Sequence, residues 1–213
     1  SSTEKKPVTL KEYIGRMKEG QEAIYYGCGR TVEAIDALPQ ADQLKEAGYE
    51  MLYMTGQVDE FAIKTLREYD GKKFLNIRTD EIDLSTEEQK TALKEENEAA
   101  ADLFAAMKEA LGDKVEAVRF TDKLKTHPVC LSSGEGVTFE MEKYFTAAQP
   151  ELGLKAKRIL EINVDHPAFL TFEKTRITDP EKAKKFAQVF YNQAQLIAGL
   201  PIDDPTAYTD LLC

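Results

Sequence analysis

The sequence predicts an α/β lobe over residues 1–82, a mainly parallel sheet with flanking helices, followed over residues 83–213 by an α+β domain whose C-terminal helices form an intermolecular bundle. Three observations predict this. Strand-length apolar runs alternate with amphipathic helical segments through residues 1–80. Between Glu81 and Thr86 the alternation stops and the composition turns acidic. The last long helix is apolar around more of its circumference than one core can cover.

In the first lobe, Leu10, Tyr13, Ile14 and Met17 recur at helical spacing, and Ile24-Tyr25-Tyr26 follows as a strand. Gly27-Cys28-Gly29 reads as a tight turn, with Thr31 as the N-cap of a helix beginning at Val32. Leu38-Pro39 interrupts that helix, a second piece runs to Gly48, and Tyr49 to Met54 reads as a buried strand. Val58 to Tyr69 is an amphipathic helix closed by Asp70-Gly71, and Phe74 to Ile77 is the last strand. Strands alternating with helices imply βαβ units on a parallel sheet.

Beyond the boundary, Ser85 with Glu88 reads as a capping box opening one helix to Leu111, which Gly112 ends. Strands follow at Val115 to Phe120 and Val129 to Ser132, then a helix from Val137 to Ala148 and a strand from Arg158 to Ile162. A short helix covers Ala168 to Lys174. Thr178-Asp179-Pro180 opens a long helix through Ala198, with Pro180 suited to its first turn.

The net charge of −10 is uneven, −2 over residues 1–80 and −8 over residues 81–213. An acidic chain argues against a nucleic-acid footprint, which needs a basic face. No apolar run approaches the roughly 18–20 residues of a membrane span, and Ser1 to Pro7 is too polar for a signal peptide. Cys28, Cys130 and Cys213 are odd in number and far apart, which places the expectation in a reducing cytoplasm. A start at Ser-Ser and a stop at Leu211-Leu212-Cys213 without helix-closing signals read as a piece of a longer protein.

Catalytic and metal motifs are incomplete. After a strand, Gly27-Cys28-Gly29 invites a dinucleotide reading, but G-x-G-x-x-G would require glycine at Val32. A small-molecule or nucleotide-binding enzyme using the Gly27–Arg30 loop is therefore the rival reading. His127 and Cys130 lie three apart on a strand and point to opposite faces, so they form no nucleophilic pair. Two histidines without C-x-x-C or H-x-x-x-H spacing give no zinc site. No catalytic residue, cofactor or metal is expected in this stretch.

The helices carry more. On the last long helix, Ala183, Phe186, Ala187, Phe190, Ala194 and Ile197 share one side. Val189, Tyr191 and Leu196 widen the apolar arc to about 220°, where covering one core needs little more than about 100°. Tyr208, Leu211 and Leu212 add a further apolar segment. A helical bundle with a second copy is the natural sink, against the alternative that the lobe covers both faces itself. On the helix from Val137, the stripe of Val137, Met141, Tyr144, Phe145 and Ala148 is wide enough to face a core. Yet Ser132 to Gly136 and Gln149 to Gly153 tether it loosely, and a Met/aromatic stripe on such a helix also suits peptide binding. A purely architectural dimerisation module remains the third reading.

The segment Leu10 to Tyr26, with Glu12, Tyr13, Arg16, Met17, Lys18, Glu19, Gln21 and Ile24-Tyr25-Tyr26, resembles the L-x-E-Y-x-x-R-M-K-E-x-Q-x-x-I-Y-Y signature of the heat-shock protein 90 chaperones of bacteria. Asp59-Glu60-Phe61 with Asp70-Gly71-Lys72 resembles that family's D-E-[WF] helix and following turn, and Arg119 to Leu131 its paired strands. The resemblance implies the end of a middle domain up to about residue 80, then a carboxy-terminal dimerisation domain. It implies client contacts at Glu60, Phe61, Val137, Met141, Tyr144 and Phe145, with Phe61 replacing a tryptophan. It implies dimer contacts at Phe186, Val189, Phe190, Leu196, Ile197, Tyr208, Leu211 and Leu212. The implied partners are a second copy and non-native proteins, with neither nucleic acid nor membrane. ATP and magnesium would bind in a domain preceding Ser1, so the whole protein would be an ATPase and this stretch no enzyme.

Overall fold

The computed structural model describes residues 1–82 and 84–213; Asp83, which opens the second domain expected from the sequence, lies outside them. The first part of the chain runs α1 (Leu10–Gly15), β1 (Ala23–Cys28), α2 (Val32–Asp36), α3 (Asp42–Ala47), β2 (Met51–Met54), α4 (Asp59–Leu66), β3 (Glu68–Tyr69) and β4 (Lys72–Asn76). It continues with α5 (Glu87–Ala99), α6 (Ala101–Leu111), β5 (Ala117–Phe120), β6 (Val129–Ser133) and α7 (Phe139–Ala148). Last come β7 (Arg158–Ile162), α8 (Pro167–Thr178), α9 (Pro180–Ile197) and α10 (Pro205–Leu212). The chain forms two compact units, Ser1–Leu84 with Glu135–Ala156, and Ser85–Gly134 with Lys157–Cys213. The sequence predicts α7 in the second domain; by its packing it belongs to the first unit.

The first unit holds a sheet of order β2-β1-β4-β3, in which β1 pairs parallel with β2 and β4 while β3 runs antiparallel. Every residue of β1 is buried, as a central strand covered on both faces must be. Alternation sorts its side chains. Ile24, Tyr26 and Cys28 meet Tyr13, Leu52, Ile63 and Phe74 on one face, and Ala23 and Tyr25 meet Ile35, Leu44, Met51 and Ile77 on the other. The Tyr13 hydroxyl ties three segments together. It donates to the Glu50 carbonyl at 2.7 Å and accepts from the Tyr25 amide at 3.1 Å and from Gln21 Nε2 at 2.9 Å. Its burial pushes the phenol up to about 12.

Two readings of this unit change. Gly27 and Cys28 lie inside β1, not in a turn. A Cβ on Gly27 would stand 2.6 Å from Ile35 Cγ2, and one on Gly29 would stand 2.9 Å from Ile35 Cγ1. Both glycines therefore serve the close seating of α2 on the sheet. The helix expected to reach Tyr69 stops at Leu66, because Arg67 takes a φ of 64° and turns the chain into β3. Asp70 (φ 51°) and Gly71 (φ 72°) form the two-residue hairpin loop, both with the positive φ that a primed turn demands.

The second unit holds a sheet of order β5-β7-β6, with β5 parallel and β6 antiparallel to β7. Its first helix is capped one residue later than expected. Thr86 makes the capping box with Gln89, while the Ser85 hydroxyl donates to Asp122 instead. The single helix expected through Leu111 breaks at Ala100, leaving α5 without a buried residue and α6 packed through Leu103, Met107 and Leu111. The core is an aromatic chain: Phe104 and Phe120 (4.8 Å between centroids), Phe120 and Phe169 (5.2 Å), Phe169 and Phe172 (5.9 Å), Phe172 and Phe190 (5.8 Å). Glu161 on β7 is fully buried, accepting from Arg119 Nη2 at 2.6 Å and from the Cys130 thiol at 3.4 Å. His127 instead pairs with the Thr126 hydroxyl, and His166 Nδ1 caps α8.

Gly27→Ala should lower stability by about 1–3 kcal/mol, because the added methyl overpacks against Ile35. A urea midpoint equal to that of the parent protein would show that the seating of α2 is not limited by Gly27.

Candidate functional site

The residues proposed from sequence to touch clients all fall in the first unit, where α4, β4 and α7 converge. Glu60, in the first turn of α4, is buried (3% exposed) and accepts two hydrogen bonds, from Asn76 Nδ2 on β4 at 3.0 Å and from Thr138 Oγ1 at 2.7 Å. That same hydroxyl accepts from the Met141 amide at 3.3 Å, so it also caps α7. Burial pushes the Glu60 carboxyl above its ordinary range, in spite of the Thr138 hydrogen bond. Arg78, also buried, pairs with Glu140 of α7 at 3.3 Å, and its guanidinium lies 4.9 Å above the Phe139 ring. Glu140 is shared with Lys143 at 2.6 Å, and burial lowers the pKa of that lysine.

On this polar floor stands an aromatic trio. The Phe61 ring meets Tyr144 at 5.4 Å and Phe145 at 5.9 Å, edge to face, and the latter two lie 5.6 Å apart. All three rings and Met141 are half-buried. Beside them opens a cleft of about 410 Å³, bounded by Cys28, Arg30, Met54, Phe61, Lys143 and Tyr144 among others. The stripe read from the sequence is thus only part of what orients α7. Phe139, outside that stripe, is the buried anchor, and Val137 precedes the helix, half-buried. Thr138 and Glu142, polar residues off that stripe, also point inward, Glu142 accepting from the Ala156 amide at 2.7 Å. Arg78, two residues past β4, carries no sequence signal.

In the second unit, α9 buries Ala183, Ala187, Phe190, Tyr191 and Ala194 in the unit's own core. Phe190, expected at a dimer contact, is 2% exposed between Phe172 and Phe186 and has no surface to offer a partner. Phe186, Val189 and Ile197 are half-buried, and Leu196 is 54% exposed. On α10 no residue is buried. Tyr208 and Leu211 are half-buried and Leu212 is 56% exposed. Between the two helices runs an open groove of about 570 Å³, lined by Phe186, Val189, Leu211 and Leu212 with Lys185 and Asp210 at its edges.

Among the described residues no group of three His, Cys, Asp or Glu side chains is placed to hold a metal ion, and no helix is long and apolar enough to cross a membrane. The sequence matches the family profile described as "Hsp90 protein" over residues 1–212. The chain belongs to the Hsp90 family. It is 46% identical over 213 residues to a "Chaperone protein HtpG" of Alkaliphilus metalliredigens and 43% identical over 213 residues to that of Bacillus subtilis. Over 210 residues it is 45% identical to the HtpG chaperone of Clostridium acetobutylicum. The chain spans about a third of the length of these curated Hsp90 relatives, 34% in the first two.

Because the folded-state pKa of Glu60 is raised, the stability it confers is fully present below its unfolded value and lost as pH rises through the folded one. Glu60→Gln should remove that loss. As pH rises above the ordinary carboxylate range, the urea midpoint of the parent should fall relative to that of the variant. Parallel pH profiles would contradict this assignment.

Proposed function

We propose that this chain is the part of an Hsp90-type chaperone that joins two copies and offers a surface to non-native protein segments. The observation that carries the reading is the second apolar face of α9. At 100° per residue, its buried apolar residues occupy an arc of about 100° with the buried Gln195 at its margin, and Phe186, Val189, Leu196 and Ile197 fill another arc of about 100° that stays half-buried or exposed. With Tyr208, Leu211 and Leu212 of α10 alongside, this face suits pairing with a second copy in a four-helix arrangement. Each large side chain buried there would contribute roughly 1.5–3 kcal/mol.

The client surface is the Phe61, Tyr144 and Phe145 trio with Met141, supported by a rigid hydrogen-bonded floor. Aromatic rings and methionine make contact area that tolerates many sequences, as a chaperone surface needs. Glu60 acts beneath this surface as a positioning residue. ATP and magnesium belong, in this reading, to another part of the whole protein, which works as a cytoplasmic ATPase.

Light scattering at micromolar concentration should give about twice the chain's 24.0 kDa, and Val189→Asp with Leu196→Asp should return the monomer mass while leaving the helical circular dichroism unchanged. A monomeric parent would defeat the pairing. For the client surface, Met141→Ser with Phe145→Ser should weaken binding of an unfolded protein by about tenfold, equivalent to about 1.4 kcal/mol. Unaltered binding by a folded double variant would leave only an architectural dimerisation module.

A further inference from the structure

The cleft in the first unit has a feature that general adhesion to unfolded chains does not use. It opens at the carboxyl ends of β1 and β2, whose connections diverge, α2 packing on the face of Ala23 and Tyr25 and α4 on the face of Ile24 and Tyr26. Crevices of this kind are where parallel sheets take their ligands, and about 410 Å³ is within the range of real binding sites. Met54, Phe61, Tyr144 and Ala147 give it an apolar wall.

Its charge is the telling part. Arg30 stands at the rim, exposed, with no ion pair or side-chain hydrogen bond among the described residues. Lys143 lines the same cleft, and the carboxylate that holds it, Glu140, is already shared with Arg78. The other acid in the lining, Glu60, is turned inward onto Asn76 and Thr138. The lining charges balance, Arg30 and Lys143 against Glu60 and Glu140, and Asp59 is turned onto the Gly56 amide, so the one charge in the lining that no carboxylate holds is that of Arg30.

We infer that this cleft selects, among non-native segments, those in which an apolar side chain lies next to a carboxylate, the apolar group against Phe61 and Tyr144 and the carboxylate on Arg30. The inference rests on the client-holding reading and adds to it a preference in sequence. Its sign is informative, because the bulk charge of the protein repels acidic peptides and would by itself favour basic ones.

The test is fluorescence anisotropy on the full chain with two labelled, unstructured peptides, identical except for Asp or Lys on either side of a central Phe. The Asp peptide should bind about three- to tenfold more tightly. That preference should vanish in Arg30→Gln and reverse in Arg30→Glu, both at an exposed position where folding is not at stake. Equal binding of the two peptides, tighter binding of the Lys peptide, or an Asp preference that survives Arg30→Glu would overturn the inference while leaving the client surface standing. Binding of neither peptide would overturn both.

Discussion

The hydrogen bond from the Thr138 hydroxyl to the buried Glu60 carboxyl is the constraint on which the first unit's site is built. A carboxyl removed from water must find partners, and an isolated one is costly to bury. Glu60 finds one in Asn76 of the sheet and one in Thr138 at the start of α7. Since Thr138 also caps that helix, satisfying the carboxyl fixes the helix start as well. Arg78 reaches the next turn through Glu140 and the Phe139 ring. What remains facing outward, the rings of Phe61, Tyr144 and Phe145, owes its position to polar chemistry underneath.

The second unit solves a different problem. Its long helix brings alanines at 183, 187 and 194 to the core, which lets the backbone approach closely, and fills the remaining space with Phe190 and Tyr191. The same helix carries larger apolar residues on a neighbouring arc. A small-residue face inside and a branched and aromatic face outside explain why one helix reads as apolar around most of its girth. Polar residues such as Lys184 and Lys185 are confined to a strip.

Much of this architecture was legible in the sequence, for local reasons. Thr31 and Asp179 cap helices where hydroxyl or carboxylate side chains precede apolar periodicity, and Gly48 ends α3 with a φ of 64°. Alternating strands and helices gave the parallel sheet, because periodicity reports burial directly. The misreadings have a common cause in tertiary contacts. Gly27 looked like a turn because the Ile35 side chain that requires its bareness lies on another element. Arg67 adopts positive φ under the demand of a hairpin that only pairing with β4 creates. At the site, Phe61 and the stripe on α7 were visible as apolar periodicity. Phe139, Arg78 and the inward turn of Glu142 were not, since a buried polar group announces itself only through its partner. The resemblance implies a dimer contact at Phe190, and an angular plot cannot tell which of two apolar arcs its own chain covers; burial assigns this ring to the unit's own core.

The chain passes between its two units three times, at 84–85, 134–135 and 156–157. Neither unit is a continuous stretch of gene. A recombination event or truncation at the first passage alone would deliver residues 1–84 without α7, stranding the Glu60 carboxyl without the hydroxyl of Thr138. The inserted helix thereby makes the two units a single heritable block. Shuffling at that junction is penalised in the folded core before any function is consulted.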